Sequence, residues 1–224
     1  YICNILINMI FDTEKYLEIS EFCKKNNKNK EKKVNIVAIS KNKPLSSILE
    51  AIEFGVREFG ENKVQEAISK FSNIKKKYHD VRLHMTGPLQ TNKVKQSIEI
   101  FDVFQTLDRE KLANEFSKHL KPNNKKEFFI QVNIGNEIQK SGISTQLADE
   151  FIRYCSKDLK IRILGLMCIP PINENPKEYF FTLADIAKKN NLNFLSMGMS
   201  SDYEQAVQAG ATHIRIGTSL FGQR

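Results

Sequence analysis

The stretch VNIVAISKNKP, Val34 to Pro44, is an aliphatic run that ends on two lysines, Lys41 and Lys43. Lysine at a strand end ordinarily reaches water, its stem covering apolar surface and its ammonium solvated. An amine held among aliphatic side chains at a pocket mouth behaves differently. It loses hydration, and the neutral form that results is nucleophilic toward an aldehyde. Lys41 shares the parity of Val37 and Ile39 and closes the strand, whereas Lys43 lies beyond it, next to Pro44, and is expected in solvent. Parity favours Lys41 over Lys43 as the reactive amine.

Near the other end stand SMGMSSD, Ser196 to Asp202, and RIGTSLFG, Arg215 to Gly222. Small residues let backbone N–H groups approach phosphate oxygens, and a following helix start adds partial positive charge. Arg215 interrupts an apolar strand and shares one face with His213 and Gly217, away from Ile214 and Ile216. An inward guanidinium needs a partner, and a phosphate dianion is a natural bidentate one. A structural salt bridge or an outward-facing arginine is the alternative. The hydroxyls of Ser200 and Thr218 suit helix capping and phosphate donation alike.

These residues need elements to position them. Short apolar runs alternate with helical periodicity through the chain. The expected strands are Val34 to Ser40, Arg57 to Phe59, Arg82 to Thr86, Phe101 to Thr106, Phe128 to Ile134, Arg162 to Met167, Phe194 to Ser196 and His213 to Ile216. Between them lie helical faces such as Leu45, Ile48, Leu49 and Ile52, stopped by Gly55, and Val64, Ala67, Ile68 and Phe71. Strict βα alternation implies parallel strands, and eight of them close a barrel. The expected fold is an α/β single (β/α)8 TIM barrel forming one domain over residues 1–224. A helix through about Lys25 precedes it, and a short or truncated helix closes it. An open doubly wound sheet is the runner-up, disfavoured because neither GxGxxG nor GxxxxGK[ST] is present. Barrels of this type do chemistry at the carboxyl ends of their strands and hold phosphate after the last two. Lys41 and both small-residue loops fall there. A neutral lysine opposite a phosphate cup is the arrangement expected for pyridoxal 5′-phosphate (PLP) held as a Schiff base.

Composition narrows the field. The net charge is +8, but the excess lies in short clusters such as KKNNKNKEKK (Lys24 to Lys33), with no recognition motif and no basic stripe interleaved with aromatics. Nucleic acid is therefore not an expected partner. The four cysteines, Cys3, Cys23, Cys155 and Cys168, form no CxxC pair, and the histidines are equally scattered, so a disulfide framework and a metal site are not expected and a reducing cytoplasm is. The apolar opening YICNILINMI is shorter than the ~20 residues of a bilayer span.

The segments AISKNKP, FGENKVQE, HMTGPLQTNKVK, QVNIGNEIQKSGI, GLMCIPP and LSMGMSSDYEQAVQAGATHIRIGTSLFG, in this order, resemble the pyridoxal phosphate homeostasis proteins, also called proline synthetase co-transcribed homologues. The resemblance spans Val34 to Arg224 and implies a barrel similar to the N-terminal domain of alanine racemase, with PLP as cofactor on Lys41. It implies phosphate contacts at Ser200, Arg215, Gly217 and Thr218, and pocket positions at Asn62 and His84. Read by themselves, Asn62 suits a helix cap equally well, and His84 suits a satisfied core position. Lys140, Ser141 and Gly142 read as a solvated turn. Departures are a lysine at position 63, where an aromatic is common, and Thr91 in place of serine; neither touches the lysine or the cup.

The expected role is a non-catalytic PLP carrier or buffer in vitamin B6 homeostasis, with PLP-dependent apoenzymes as possible recipients, no membrane partner and a monomeric state. The alternative is a PLP-dependent racemase or decarboxylase of the same barrel type. Racemases on this barrel take an acid–base tyrosine from a separate C-terminal β domain, and the sequence contains none.

Overall fold

The computed structural model describes residues 11–27 and 33–223. Eight strands form a closed parallel barrel: β1 (Asn35–Ile39), β2 (Glu58–Glu61), β3 (Arg82–Met85), β4 (Val103–Leu107), β5 (Glu127–Asn133), β7 (Ile163–Cys168), β8 (Phe194–Ser196) and β9 (His213–Ile216). Closure comes from the β1–β9 and β4–β5 pairings. A two-residue strand, β6 (Ile143–Ser144), adds to the outer end of β5 and was not expected from the sequence. It is too short to show periodicity.

Each connection carries a helix: α2 (Leu45–Phe54), α3 (Val64–Lys77), α4 (Val94–Ile100), α5 (Glu110–His119), α6 (Ala148–Arg153), α7 (Pro176–Lys189), α8 (Tyr203–Gln208) and α9 (Thr218–Phe221). Their apolar faces bury Ile48, Ala51 and Ile52 from α2 or Ala67, Phe71 and Ile74 from α3 against the strands. Gly55 ends α2 at φ 111°, where a β-carbon would be strained. Two short irregularities were illegible in the pattern: a 3-10 turn at Thr91–Lys93 before α4, and a π-turn at Tyr154–Asp158 extending α6.

The first helix, α1 (Thr13–Asn26), matches the expected peripheral helix over its described part; residues 1–10 lie outside the described residues. Asp12 caps it through Lys15 N, and Ile19 and Cys23 are buried beneath it. It packs on the last two helices, with Phe22 edge-on to Tyr203 and Phe11 tilted against Phe221. Most of the core lies between barrel and helices, including the Phe104, Phe116 and Phe128 rings within 4.7 to 5.1 Å of one another.

Strand register fixes which side chains share the barrel interior. Ile39, Gly60, His84 and Val103 lie side by side on successive strands, and Val37 lies beside Arg215. Val103, Phe129 and Met167 form the small apolar interior cluster, with Ile169 and Phe194 packed on it.

Candidate functional site

Lys41 is half-buried in the turn that follows β1, two residues after Ile39. The turn is closed by Lys43 N donating to Ser40 O at 3.1 Å, with Asn42 at φ 60°, a conformation asparagine tolerates at the third turn position. The neighbours of Lys41 are held firmly. Ser40 Oγ donates to Glu61 Oε1 at 2.7 Å, Lys70 Nζ donates to Ser40 O at 2.9 Å, and Asn42 N donates to Glu66 Oε1 at 2.6 Å. Lys43 is not the solvated lysine that its position beyond the strand suggests. Its ammonium donates to the carbonyls of Phe221, Gly222 and Gln223 at 2.7, 2.9 and 3.0 Å.

The small-residue loops lie beside this turn rather than opposite it, because closure makes β9 and then β8 the immediate neighbours of β1. A β-carbon on Gly217 would sit 3.3 Å from Ile39 Cβ, so this glycine lets the loop after β9 press against the strand that leads to Lys41. Ser200 is half-buried and Thr218 is exposed as the first residue of α9. Neither hydroxyl caps a helix. Asp202 organises the entrance to α8, accepting from Met199 N at 2.6 Å, and Gly217 occupies the cap position of α9.

Arg215 points into the barrel and is 5% exposed. Its guanidinium donates to Ser196 Oγ at 2.8 Å and to Cys168 O at 2.9 Å, and no carboxylate among the described residues lies within salt-bridge distance. Two of five donors are thus used, and the nearest compensation is the charge of Asp202, which reaches the guanidinium without a direct ion pair.

His84 is fully buried with both ring nitrogens engaged, by Glu58 Oε2 at 2.5 Å and Gln105 Nε2 at 2.8 Å. Since the Gln105 amide donates to Nδ1, the His84 proton belongs on Nε2, facing Glu58. Gln105 Oε1 in turn accepts from Ser196 Oγ at 2.6 Å. One continuous chain therefore crosses the interior from Glu58 through His84, Gln105 and Ser196 to Arg215. Burial raises the Glu58 carboxyl, but the hydrogen bond from His84 and the Arg82 charge outweigh it and hold its pKa below the usual range. His84 thus meets the site through Arg215.

Asn62 does not cap α3, whose cap position is Lys63. Its Oδ1 is buried with no partner among the described residues. It lines a cavity of about 630 Å³ that also takes in Met85, Leu89, Asp108, Arg109 and Ser141. A β-carbon on Gly87 would lie 2.4 Å from Asn62 Cβ, which accounts for a glycine in the HMTGPLQ segment. A second cavity of about 270 Å³, sharing Pro88 and Ser141, is floored by Thr86, Gln131 and Ile169 and rimmed by Lys140. The Lys140 to Gly142 turn is therefore no mere solvated turn. Lys140 donates to Pro170 O and Ser141 O accepts from Gln131 Nε2, which folds the turn over the barrel mouth.

Sequence reasoning missed Gln105, Ser196, Gln131, Glu61 and Lys70. For Gln105, Gln131 and Ser196 the signal available was a polar residue on the inward parity of an apolar strand, as in VFQTL and FFIQVN; Glu61 and Lys70, outside the barrel, gave no such signal. Glu61 is fully buried; burial raises its pKa, while the Ser40 hydrogen bond and the Lys70 charge act the other way. No helix among the described residues is long and apolar enough to cross a membrane.

An orphaned buried acceptor at Asn62, a buried guanidinium at Arg215 with no carboxylate in direct contact and two hydroxyls not used in capping form a set of polar groups that fits a small, phosphate-bearing aromatic aldehyde beside an amine.

Comparison with known proteins places these residues in context. Residues 23–224 match the alanine racemase, N-terminal domain, family. The chain is 36% identical over 219 residues to a Haemophilus influenzae protein named pyridoxal phosphate homeostasis protein, covering 92% of each. An Aquifex aeolicus protein of the same name is 38% identical, over 84% of this chain and 86% of the relative. Among solved structures, PipY of Synechococcus elongatus PCC7942 with PLP bound superposes with a TM-score of 0.77 at 30% identity, covering 93% of this chain and 99% of PipY. Alanine racemase of Corynebacterium glutamicum shares the fold, with a TM-score of 0.67 at 13% identity over 96% of this chain and 62% of the racemase.

Proposed function

This chain belongs to the alanine racemase N-terminal domain family, and on that premise we propose that it binds PLP on Lys41 as a Schiff base and acts in intracellular PLP homeostasis, as a carrier or buffer rather than a turnover enzyme. The observation that carries the reading is adjacency. The turn bearing Lys41 and the loops bearing Ser200, Gly217 and Thr218 follow three consecutive strands of the closed barrel, β1, β9 and β8.

When bound, PLP supplies an aldehyde that condenses with a lysine amine, with loss of water. The remaining roles belong to the chain. Lys41 follows β1 on the strand parity of Val37 and Ile39, the face turned into the barrel. Ser200 and Thr218 offer hydroxyls, and Gly217 a close backbone approach, to the phosphate. Arg215 supplies positive charge from below, and Asn62 Oδ1 an acceptor at the cavity wall. His84 is assigned to the site indirectly, through Gln105 and Ser196. The whole chain, residues 1–224, is proposed to be one PLP-binding domain that works as a cytoplasmic monomer and passes the cofactor to apoenzymes. The names of the curated relatives support homeostasis over catalysis.

The test is chemical. Borohydride reduction of the PLP-loaded protein, followed by peptide mapping, is expected to place the label on Lys41; label confined to Lys43 contradicts the assignment. Amino-acid racemisation or decarboxylation at about 1 per second or faster, within the ordinary enzyme range, contradicts the carrier role.

A further inference from the structure

We propose that Glu66, with Lys70 and Glu61, is a positioning device that holds the turn around Lys41, so that the amine is presented to the barrel mouth before any cofactor arrives. The inference rests on the reading that Lys41 carries PLP.

Ser40, Asn42 and Lys43 flank Lys41 in the turn, and each is tied to a distant part of the chain. Ser40 is bound three ways: its N–H donates to Gly60 O at 3.0 Å, its hydroxyl donates to Glu61, and its carbonyl accepts from Lys70. The Asn42 N–H donates to Glu66. Lys43 is bound to the chain after α9. Lys70 joins these contacts into one unit, its ammonium lying 2.5 Å from Glu66 Oε1 and 3.2 Å from Glu61 Oε1. Its side chain is only 13% exposed and that of Glu61 is fully buried, so the unit is poorly screened and rigid. Glu61 Oε2 has no partner among the described residues, a cost retained where the ordered turn offsets it.

A nucleophile on a free turn samples many directions, and fixing it in advance avoids an ordering cost at binding. Glu66 stands in the first turn of α3, half-buried, where a substitution leaves the core intact. Its distinctive contact is with a backbone N–H of the lysine turn, 24 residues away. That contact asks only for an oxygen acceptor, so glutamine should replace glutamate where alanine cannot.

The experiment uses the full chain and PLP itself. Wild type, Glu66→Ala, Glu66→Gln and Lys41→Ala are titrated with PLP, followed by visible absorbance, reduced with borohydride and mapped. Hydrogen exchange at the Asn42 amide is measured without PLP. In Glu66→Ala, with an unchanged far-ultraviolet circular dichroism spectrum, the PLP dissociation constant is expected to rise about tenfold, the fraction of label on Lys41 to fall several-fold, and Asn42 exchange to speed up. Glu66→Gln is expected to recover most of each. Tight binding, exclusive Lys41 label or unchanged Asn42 exchange in Glu66→Ala overturns the proposal alone. Colour retained in Lys41→Ala overturns the functional reading, and this proposal with it.

Discussion

The ammonium of Lys43 donates to the carbonyl of Phe221 at 2.7 Å, joining the lysine turn after β1 to the end of α9, 178 residues away. Two further carbonyls, of Gly222 and Gln223, complete the contact. A cation at a helix C-terminus satisfies carbonyls that the helix cannot and complements its negative end. The helix concerned begins at Thr218, within the proposed phosphate loop. Lys43 therefore braces the chain end that follows the proposed phosphate loop.

Lys43→Ala is accordingly expected to keep PLP on Lys41 while costing about 1.5–3 kcal/mol of stability, the range for hydrogen bonds to a charged group. For a chain of this size that lowers the melting temperature by roughly 3–12 °C, readable by calorimetry. Loss of colour in this variant at unchanged stability would make Lys43 a cofactor ligand instead.

His213 gives the fold a pH dependence. Burial, with the Arg82 and Arg215 charges adding to it, pulls its pKa from 6.5 down to about 3. Its nitrogens are already engaged by Asn35 and Thr212. Because the folded pKa is depressed, the unfolded chain takes up a proton below about pH 6.5 that the folded chain refuses. The contribution of His213 is fully present above that pH and is lost as pH falls toward 3, by up to about 1.4 kcal/mol per unit. Urea unfolding at pH 7, 6 and 5 is expected to show a shallower loss for His213→Gln than for wild type. Parallel losses contradict the assignment.

Arg215 separates charge from geometry. Arg215→Lys keeps a cation on β9 but cannot reach Ser196 and Cys168 together with a third partner. PLP affinity is expected to fall about tenfold or more, with the barrel intact by circular dichroism. Arg215→Ala is also expected to destabilise, since Ser196 and the chain through Gln105 and His84 lose their partner in a dry interior. Unchanged PLP affinity in Arg215→Lys would make this arginine structural.

The barrel was legible because its signals are local. Parity alone places Val37 and Ile39 on one face and Arg215 on the face away from Ile214 and Ile216, and the eight strands follow from short apolar runs between amphipathic faces. What stayed hidden depends on partners far apart in sequence. Gln105 meets His84 across 21 residues and Ser196 across 91, and nothing in VFQTL says which strand its glutamine will face. Lys43 was misjudged for the same reason: its solvation was inferred from its position after the strand, while its partners lie at the far end of the chain. The segment Lys140 to Gly142 reads as a solvated turn, yet Lys140 and Ser141 close on Pro170 and Gln131.

The most direct test of the account is the visible absorbance spectrum of the purified chain with PLP, compared with that of Lys41→Ala. The account predicts a yellow protein whose lysine-bound absorbance band is absent in Lys41→Ala at equal PLP concentration and equal fold. A colourless wild type, or the same band persisting in Lys41→Ala, contradicts it.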